Sequence, residues 1–364
     1  MIDGIGILQL LWYFVIALLF AGFLFLEGID FGVGMATRLI ARDGDERAMY
    51  MRAVAPHWDG NEVWLITAGG AMFAAFPLWY ASLFSGYYIL LFLVLVGLIL
   101  RGVSFEFSNH AITDRERDIW QWANFVGSVL PPFFLGMMLT SLIQGIPMGA
   151  GSVAFKNGKA IGDASNAVPG FFDVCNLLSI VGGVAVVFFC FVHGLHFLSL
   201  KLSKSDSHHM LNASSKVYWI AYPALVVFVI LVFFFTDFYQ KRTISSLVIT
   251  VIILAAVICG HVAARHERGG YAFIASGVTL AAVIAFIFNG LFPRVMISKD
   301  GTADLLIKDA AASPVTSKAM TIVLCCLLPI MLAYFIWSYY IQRKRLYTDE
   351  TTAEEKKAIA EYGV

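Results

Sequence analysis

Stretches of about 20 predominantly apolar residues recur nine times along this chain. They fall at about 7–30, 57–80, 83–105, 120–144, 172–200, 215–236, 244–264, 271–292 and 318–341. Each is long enough to cross the hydrocarbon of a bilayer as a helix. Lipid offers the backbone no hydrogen-bond partner, so runs of this length restrict the chain to a bundle of spanning helices. Composition agrees: 59% of residues are hydrophobic, 14% are charged and the mean hydropathy is +0.78. A water-soluble domain is excluded for most of the sequence. The expected fold class is an all-α integral membrane protein with nine transmembrane helices.

Charge then orients the spans. If the N-terminus and the links near 81, 145–170, 237–243 and 293–318 share one side, that side holds eight of the 25 Lys and Arg residues, and the other holds seventeen. The positive-inside rule places the richer side in the cytoplasm, with the N-terminus outside and the tail inside. No cationic segment precedes the first run, whose first positive charge is Arg38, so it reads as a retained span and not a signal peptide. The short link around Pro77–Ser82 predicts an antiparallel hairpin of spans two and three. Pro131-Pro132 predicts a kink in span four. Net charge is zero and no basic block precedes the tail, so nucleic acid is not an expected partner.

The richest polar stretch is Ala55-Pro-His-Trp-Asp-Gly-Asn-Glu-Val-Trp64, which opens span two. It places His57, Asp59, Asn61 and Glu62 at the cytoplasmic mouth of a membrane helix. Glu27 and Asp30 end span one, and Arg101 and Glu106 end span three, on the same side. Ionised groups inside lipid cost roughly 2.5–3.5 kcal/mol each, so they are sheltered or functional. Glu27/Asp30 and Asp59/Glu62 are each spaced i, i+3 and share a helix face. Two carboxyls on one apolar face resist simultaneous ionisation, which suits a proton relay. His57 adds a titrating group at the entrance. Arg101 would fix a carboxylate, a haem propionate or a quinone carbonyl. Plainer roles remain open: acids after Pro56 suit a helix N-terminus, and Arg101 could snorkel or pair with Asp30 or Asp59.

Other groups carry less. Gly28, Gly32 and Gly34 suit tight helix packing, and Trp58, Trp64 and Trp79 suit interfacial belts or helix contacts. His193 and His196 share a face near the inner end of span five and could form a metal or haem pair. His261 and His266 read as interfacial, and His208-His209 as a solvated loop. The five cysteines lack C-x-x-C spacing and read as buried apolar thiols.

The segments Glu27-Gly-Ile-Asp-Phe-Gly-Val-Gly34, Ala55–Trp64 and Leu65–Pro77 resemble subunit II of the cytochrome bd quinol oxidases. So do Arg101, Trp120-x-Trp122, Gly127-Ser128-x-x-Pro131-Pro132 and His193-Gly194. The resemblance implies a non-haem subunit of a complex that oxidises quinol and reduces dioxygen to water in a prokaryotic inner membrane. Haems b558, b595 and d would belong to subunit I, the pseudo-symmetric partner. A small single-span accessory subunit, membrane lipid and a structural quinone are further expected partners. Asp30 and Asp59, with Glu27, Glu62 and His57, would serve cytoplasmic proton uptake, and Arg101 and Trp58 would contact a quinone or haem propionate. On this plan residues 1–144 form a four-helix bundle, 145–171 an external loop and 172–292 a second four-helix bundle. Residues 293–317 form a second external loop, 318–342 the peripheral ninth helix and 343–364 a cytoplasmic tail. A proton-coupled transporter using the same carboxylates is the competing class, though no internal repeat is visible. A scaffold whose acids are only salt-bridged is the third.

Overall fold

The computed structural model describes residues 4–146, 154–156, 159–161, 171–299 and 304–346. In chain order the helices are α1 (Ile7–Leu39), α2 (Gly44–Val54), α3 (Trp58–Ala75), α4 (Pro77–Gly86), α5 (Tyr88–His110) and α6 (Asp114–Gln144). Then follow α7 (Phe171–Val174), α8 (Leu177–Lys201), α9 (Lys204–Phe235), α10 (Phe238–Lys241), α11 (Thr243–Arg265), α12 (Gly269–Leu291), α13 (Ile307–Ala310) and α14 (Pro314–Ile341). Two small antiparallel pairs join them, β1 (Ala154–Lys156) with β2 (Lys159–Ile161), and β3 (Arg294–Met296) with β4 (Leu305–Leu306). Among the described residues, eight helices are long and apolar enough to cross a membrane: α1, α5, α6, α8, α9, α11, α12 and α14. Helix α3 is not among them, because its first turns carry Asp59, Asn61 and Glu62.

The expected hairpin between spans two and three is not formed. Pro77 has no N–H to continue α3, so α3 ends at Ala75 and Pro77 opens α4 at its first position. That ten-residue helix takes the place of a turn. It spreads α3 from α5 and leaves a crevice of about 950 Å³ between them, lined by Leu65, Gly69, Phe84, Leu91 and Leu98 among others. The double proline behaves differently, since α6 continues through Pro131 and Pro132 as one helix.

Helix α1 is the axle of the molecule and packs on α3, α6, α8 and α12. Its crossing with α8 needs two glycines. A Cβ on Gly32 would sit 2.7 Å from Cα and N of Gly194 and would collide with the carbonyl of Cys190. Residues Gly28 to Gly34 are thus a packing stripe. Helix α14 stands apart. It touches α1 and α3, and Ser317 is its single buried residue.

At the end of the molecule opposite the Arg101 cluster, Asp237 gathers the connections. Arg294 holds its two oxygens at 2.8 and 2.9 Å, and Lys241 reaches it at 2.6 Å. Burial pushes this carboxyl up, but the hydrogen bonds from Arg294 and Lys241 outweigh it and hold it down at about 2. A group depressed in the folded state stabilises fully above its ordinary value of 3.8 and loses that contribution as pH falls through about 2. Asp237→Asn is therefore expected to lower the melting temperature at pH 7, with the difference from the parent closing near pH 2. Thermal scans across pH check this, and a gap that stays constant would contradict it. The backbone of Ile146 also bonds with Ile297 and Lys299 at 3.1 and 3.0 Å, so the connections after α6 and α12 meet. Most of the 145–171 loop, part of the 293–317 loop and residues 347–364 lie outside the described residues.

Several local expectations are corrected. Cys259, Cys325 and Cys326 are exposed on the outer faces of apolar helices, and Cys190 is the buried thiol. His208 and His209 lie within α9, where His208 faces Glu267 at 3.0 Å. His261 is buried against Tyr222, 2.8 Å from its hydroxyl, near the end of α11. Of the two roles expected for the indoles, the structure takes helix contacts: Trp64 and Trp79 are buried, and Trp58 is half-buried and stacked on Phe105.

Candidate functional site

The polar residues of α1, α3 and α5 meet on one level of the bundle. Arg101 is fully buried, although it sits on a helix whose outer face is open to lipid. Gly127 of α6 allows this, because a Cβ there would lie 2.7 Å from the backbone N of Arg101. The guanidinium makes an ion pair with Glu27 and a second with Glu62 at 2.5 Å, and lies over the ring of Phe31 at 4.9 Å. It neither snorkels nor pairs with Asp30 or Asp59. Glu27 and Asp30 are fully buried, and Glu62 is partly open toward the crevice between α3 and α5.

Asp30 is served by Asn61, whose Nδ2 donates to its Oδ2 at 2.7 Å. Asn61 is itself fully buried and touches the hydroxyl of Tyr339 on α14. The ring of His57 stacks on Tyr339 with centroids 4.0 Å apart and planes 5° from parallel. The fold thus assembles Glu27, Asp30, Glu62 and Arg101, and roofs them with Asn61, Tyr339 and His57. Asp59 is not brought in. It is exposed on α3 and accepts a bond from Gly60 N at 2.7 Å. Glu106 is likewise exposed.

Three carboxyls face one guanidinium here. Within an apolar bundle an uncompensated negative charge is costly, so these carboxyls depend on the one guanidinium they surround. The arrangement can store a proton and pass it between neighbours without exposing it to lipid.

Sequence reasoning overlooked Tyr339, which lies 278 positions from its partner Asn61. Nothing in the apolar run around it marks a polar role. The histidine pair of α8 also turns out differently. Both His193 and His196 direct Nδ1 at Ser276, at 2.7 and 3.1 Å, and His193 spends Nε2 on the Phe25 carbonyl at 3.0 Å. They do not present two open nitrogens to one metal.

Fold and site together define an integral membrane protein with a largely buried cluster of carboxyls around an arginine. Residues 8–342 match the family described as cytochrome bd terminal oxidase subunit II. The chain is 38% identical to cytochrome bd ubiquinol oxidase subunit 2 of Bacillus subtilis, over 92% of this chain and 96% of that protein. It is 32% identical to cytochrome bd-I ubiquinol oxidase subunit 2 of Escherichia coli K12, over 92% of this chain and 94% of that one. A solved bd oxidase from Geobacillus thermodenitrificans shares the fold, with a TM-score of 0.68 at 18% identity, covering 92% of this chain and 99% of that one. The chain belongs to the cytochrome bd terminal oxidase subunit II family, and it is a subunit of an oxidoreductase complex.

Proposed function

We propose that this chain is the non-haem subunit II of a quinol-oxidising, dioxygen-reducing terminal oxidase, and that it carries protons from the cytoplasm toward the site where water forms. The observation that carries the reading is the buried set of Glu27, Asp30 and Glu62 around Arg101. Asp59, exposed at the mouth of α3, is the receiving group. Glu62 and Glu27 share Arg101, so a proton arriving at one changes the charge felt by the other. Asp30 stands beside them, hydrogen-bonded through Asn61.

The orientation follows the distribution of Lys and Arg: N-terminus outside, tail in the cytoplasm, with α3 making the ninth crossing. The arrangement as two four-helix bundles, 1–144 and 172–292, with α14 peripheral, completes this reading. Subunit I is the partner that holds haem, and this subunit supports its assembly. Haem is assigned to subunit I; in this chain His193 spends both ring nitrogens, on Ser276 and Phe25, and His196 directs Nδ1 at Ser276.

The crevice between α3 and α5 suits a structural quinone or a lipid chain. Its walls are apolar, and Trp58 and Glu62 stand among its lining residues. Trp58, stacked on Phe105 at 5.2 Å, would flank the ring. A single-span accessory subunit could cover an outer face.

The test is Asp30→Asn in the assembled complex. Quinol-dependent oxygen uptake is expected to fall about 10²-fold, the scale for losing a proton-transfer group, with haem content unchanged. Unchanged uptake with normal haem would favour a scaffold. The parallel Asp59→Asn variant reports on the entrance.

A further inference from the structure

Tyr339 is out of place. It lies in the last turns of α14, a helix otherwise open to lipid. Yet its hydroxyl reaches a fully buried carboxamide that serves a fully buried acid. The rest of the α14 seam is thin. Trp12 Nε1 donates to Thr321 Oγ1 at 3.0 Å and Ser317 O at 3.3 Å at one end, and Phe335 meets Trp64 edge-on at 5.7 Å in the middle. At the other end the contact is Tyr339, with His57 stacked on it.

The hydrogens around Asn61 can be counted. Its Nδ2 has two, and Asp30 Oδ2 lies at 2.7 Å and Leu26 O at 3.4 Å. The phenol oxygen lies 3.1 Å from Oδ1 and 3.0 Å from Nδ2. One arrangement uses every hydrogen: Nδ2 donates to Asp30 and Leu26, and the Tyr339 O–H donates to Oδ1. In that arrangement the amide shows Asp30 a donor, which serves a carboxylate. A reversed amide would show Asp30 an acceptor, which serves only a carboxylic acid.

We propose that Tyr339 is a positioning residue for the proton site: its hydroxyl fixes the Asn61 carboxamide and thereby the hydrogen bond that Asp30 receives. The last helix thus takes part in proton handling and is more than a membrane anchor. His57 keeps the phenol ring in plane, lying parallel to it at 4.0 Å. The charged neighbours of this unit are Glu27 on α1, Glu62 on α3 and Arg101 on α5 around Asp30, with Lys201 on α8 and Asp59 on α3 on the His57 side. This inference rests on the proton-uptake reading given above.

The experiment is Tyr339→Phe in the purified complex, which keeps the ring and its stacking and removes one hydroxyl. Haem content and the KM for quinol are expected to stay as in the parent. The kcat for oxygen uptake falls about tenfold, as when a reacting group keeps its place and loses its orientation. The solvent deuterium isotope effect on kcat rises. In an Asn61→Ala background Tyr339→Phe should add nothing, because both changes remove one unit. Parental kcat and isotope effect, additive losses, or a loss in proportion to haem would each overturn the proposal.

An infrared difference spectrum on acid titration reads the contact without turnover. Asp30→Asn identifies the Asp30 carboxyl band, and Tyr339→Phe must shift it. A band that stays overturns the inference whatever the activity. Absence of quinol-dependent uptake in the parent complex would instead overturn the functional reading alone.

Discussion

Replacing Arg101 by methionine is expected to prevent the complex from accumulating. The side chain is fully buried and is the shared counter-charge of Glu27 and Glu62. Taking one partner from a buried ion pair costs about 3–5 kcal/mol, since the remaining charge is left in a low dielectric. Whole proteins are stable by only about 5–15 kcal/mol, and this site has two carboxylates to strand. The yield of monodisperse complex and its melting temperature read the effect. Lysine keeps the charge but loses the planar fork, so Arg101→Lys should fall between. The triple variant Arg101→Met, Glu27→Gln, Glu62→Gln should recover much of the stability without recovering turnover, because removing Arg101 together with both of its ion-pair partners costs far less than breaking the pairs. A single Arg101→Met variant that melts with the parent would show that the ion pairs do not hold the bundle.

Gly32→Val is expected to come close in severity. The added Cβ would meet the backbone of α8 at Gly194 and Cys190, and no change of rotamer can move a backbone. Overpacking of side chains costs about 1–3 kcal/mol. Here α1 and α8 would have to separate along the axle of the molecule, so the loss should reach or pass the top of that range. Gly70 is the control, because a Cβ there meets nothing within 4 Å. Gly70→Ala should be neutral or stabilising by up to about 1 kcal/mol from helix propensity. Thermal unfolding in one detergent or nanodisc compares the two. Equal effects would mean that the α1–α8 crossing is looser than its geometry implies.

Much of the site was legible in the sequence, for a simple reason. An ionisable residue in a 20-residue apolar run is an anomaly, so Glu27, Asp30, Glu62 and Arg101 stand out by cost alone. The glycine stripe was readable as well, since small residues let membrane helices approach. What could not be read was the pairing. Arg101 chose Glu27 and Glu62 over Asp30 and Asp59, and Asp59 turned outward although its spacing to Glu62 suggested a shared face. The i, i+3 rule places two side chains on neighbouring positions, but it does not say which of them the next helix covers. Tyr339 was overlooked and the cysteines were misjudged because their helices are apolar all round, so hydrophobicity does not separate a buried face from a lipid face.

The sequence by itself determined that the chain is a bundle of membrane helices, where the apolar middle of most of those helices lies, and which charged groups fall within them. Those properties follow from segment length and from the local cost of taking charge out of water. The tertiary structure alone decided that α4 would wedge α3 away from α5, that one arginine would hold two carboxylates, and that a tyrosine on the last helix would reach Asn61. These outcomes depend on how closely backbones approach at Gly32, Gly127 and Gly194. Such distances are set by the packing of residues far apart in the chain, which no local pattern records.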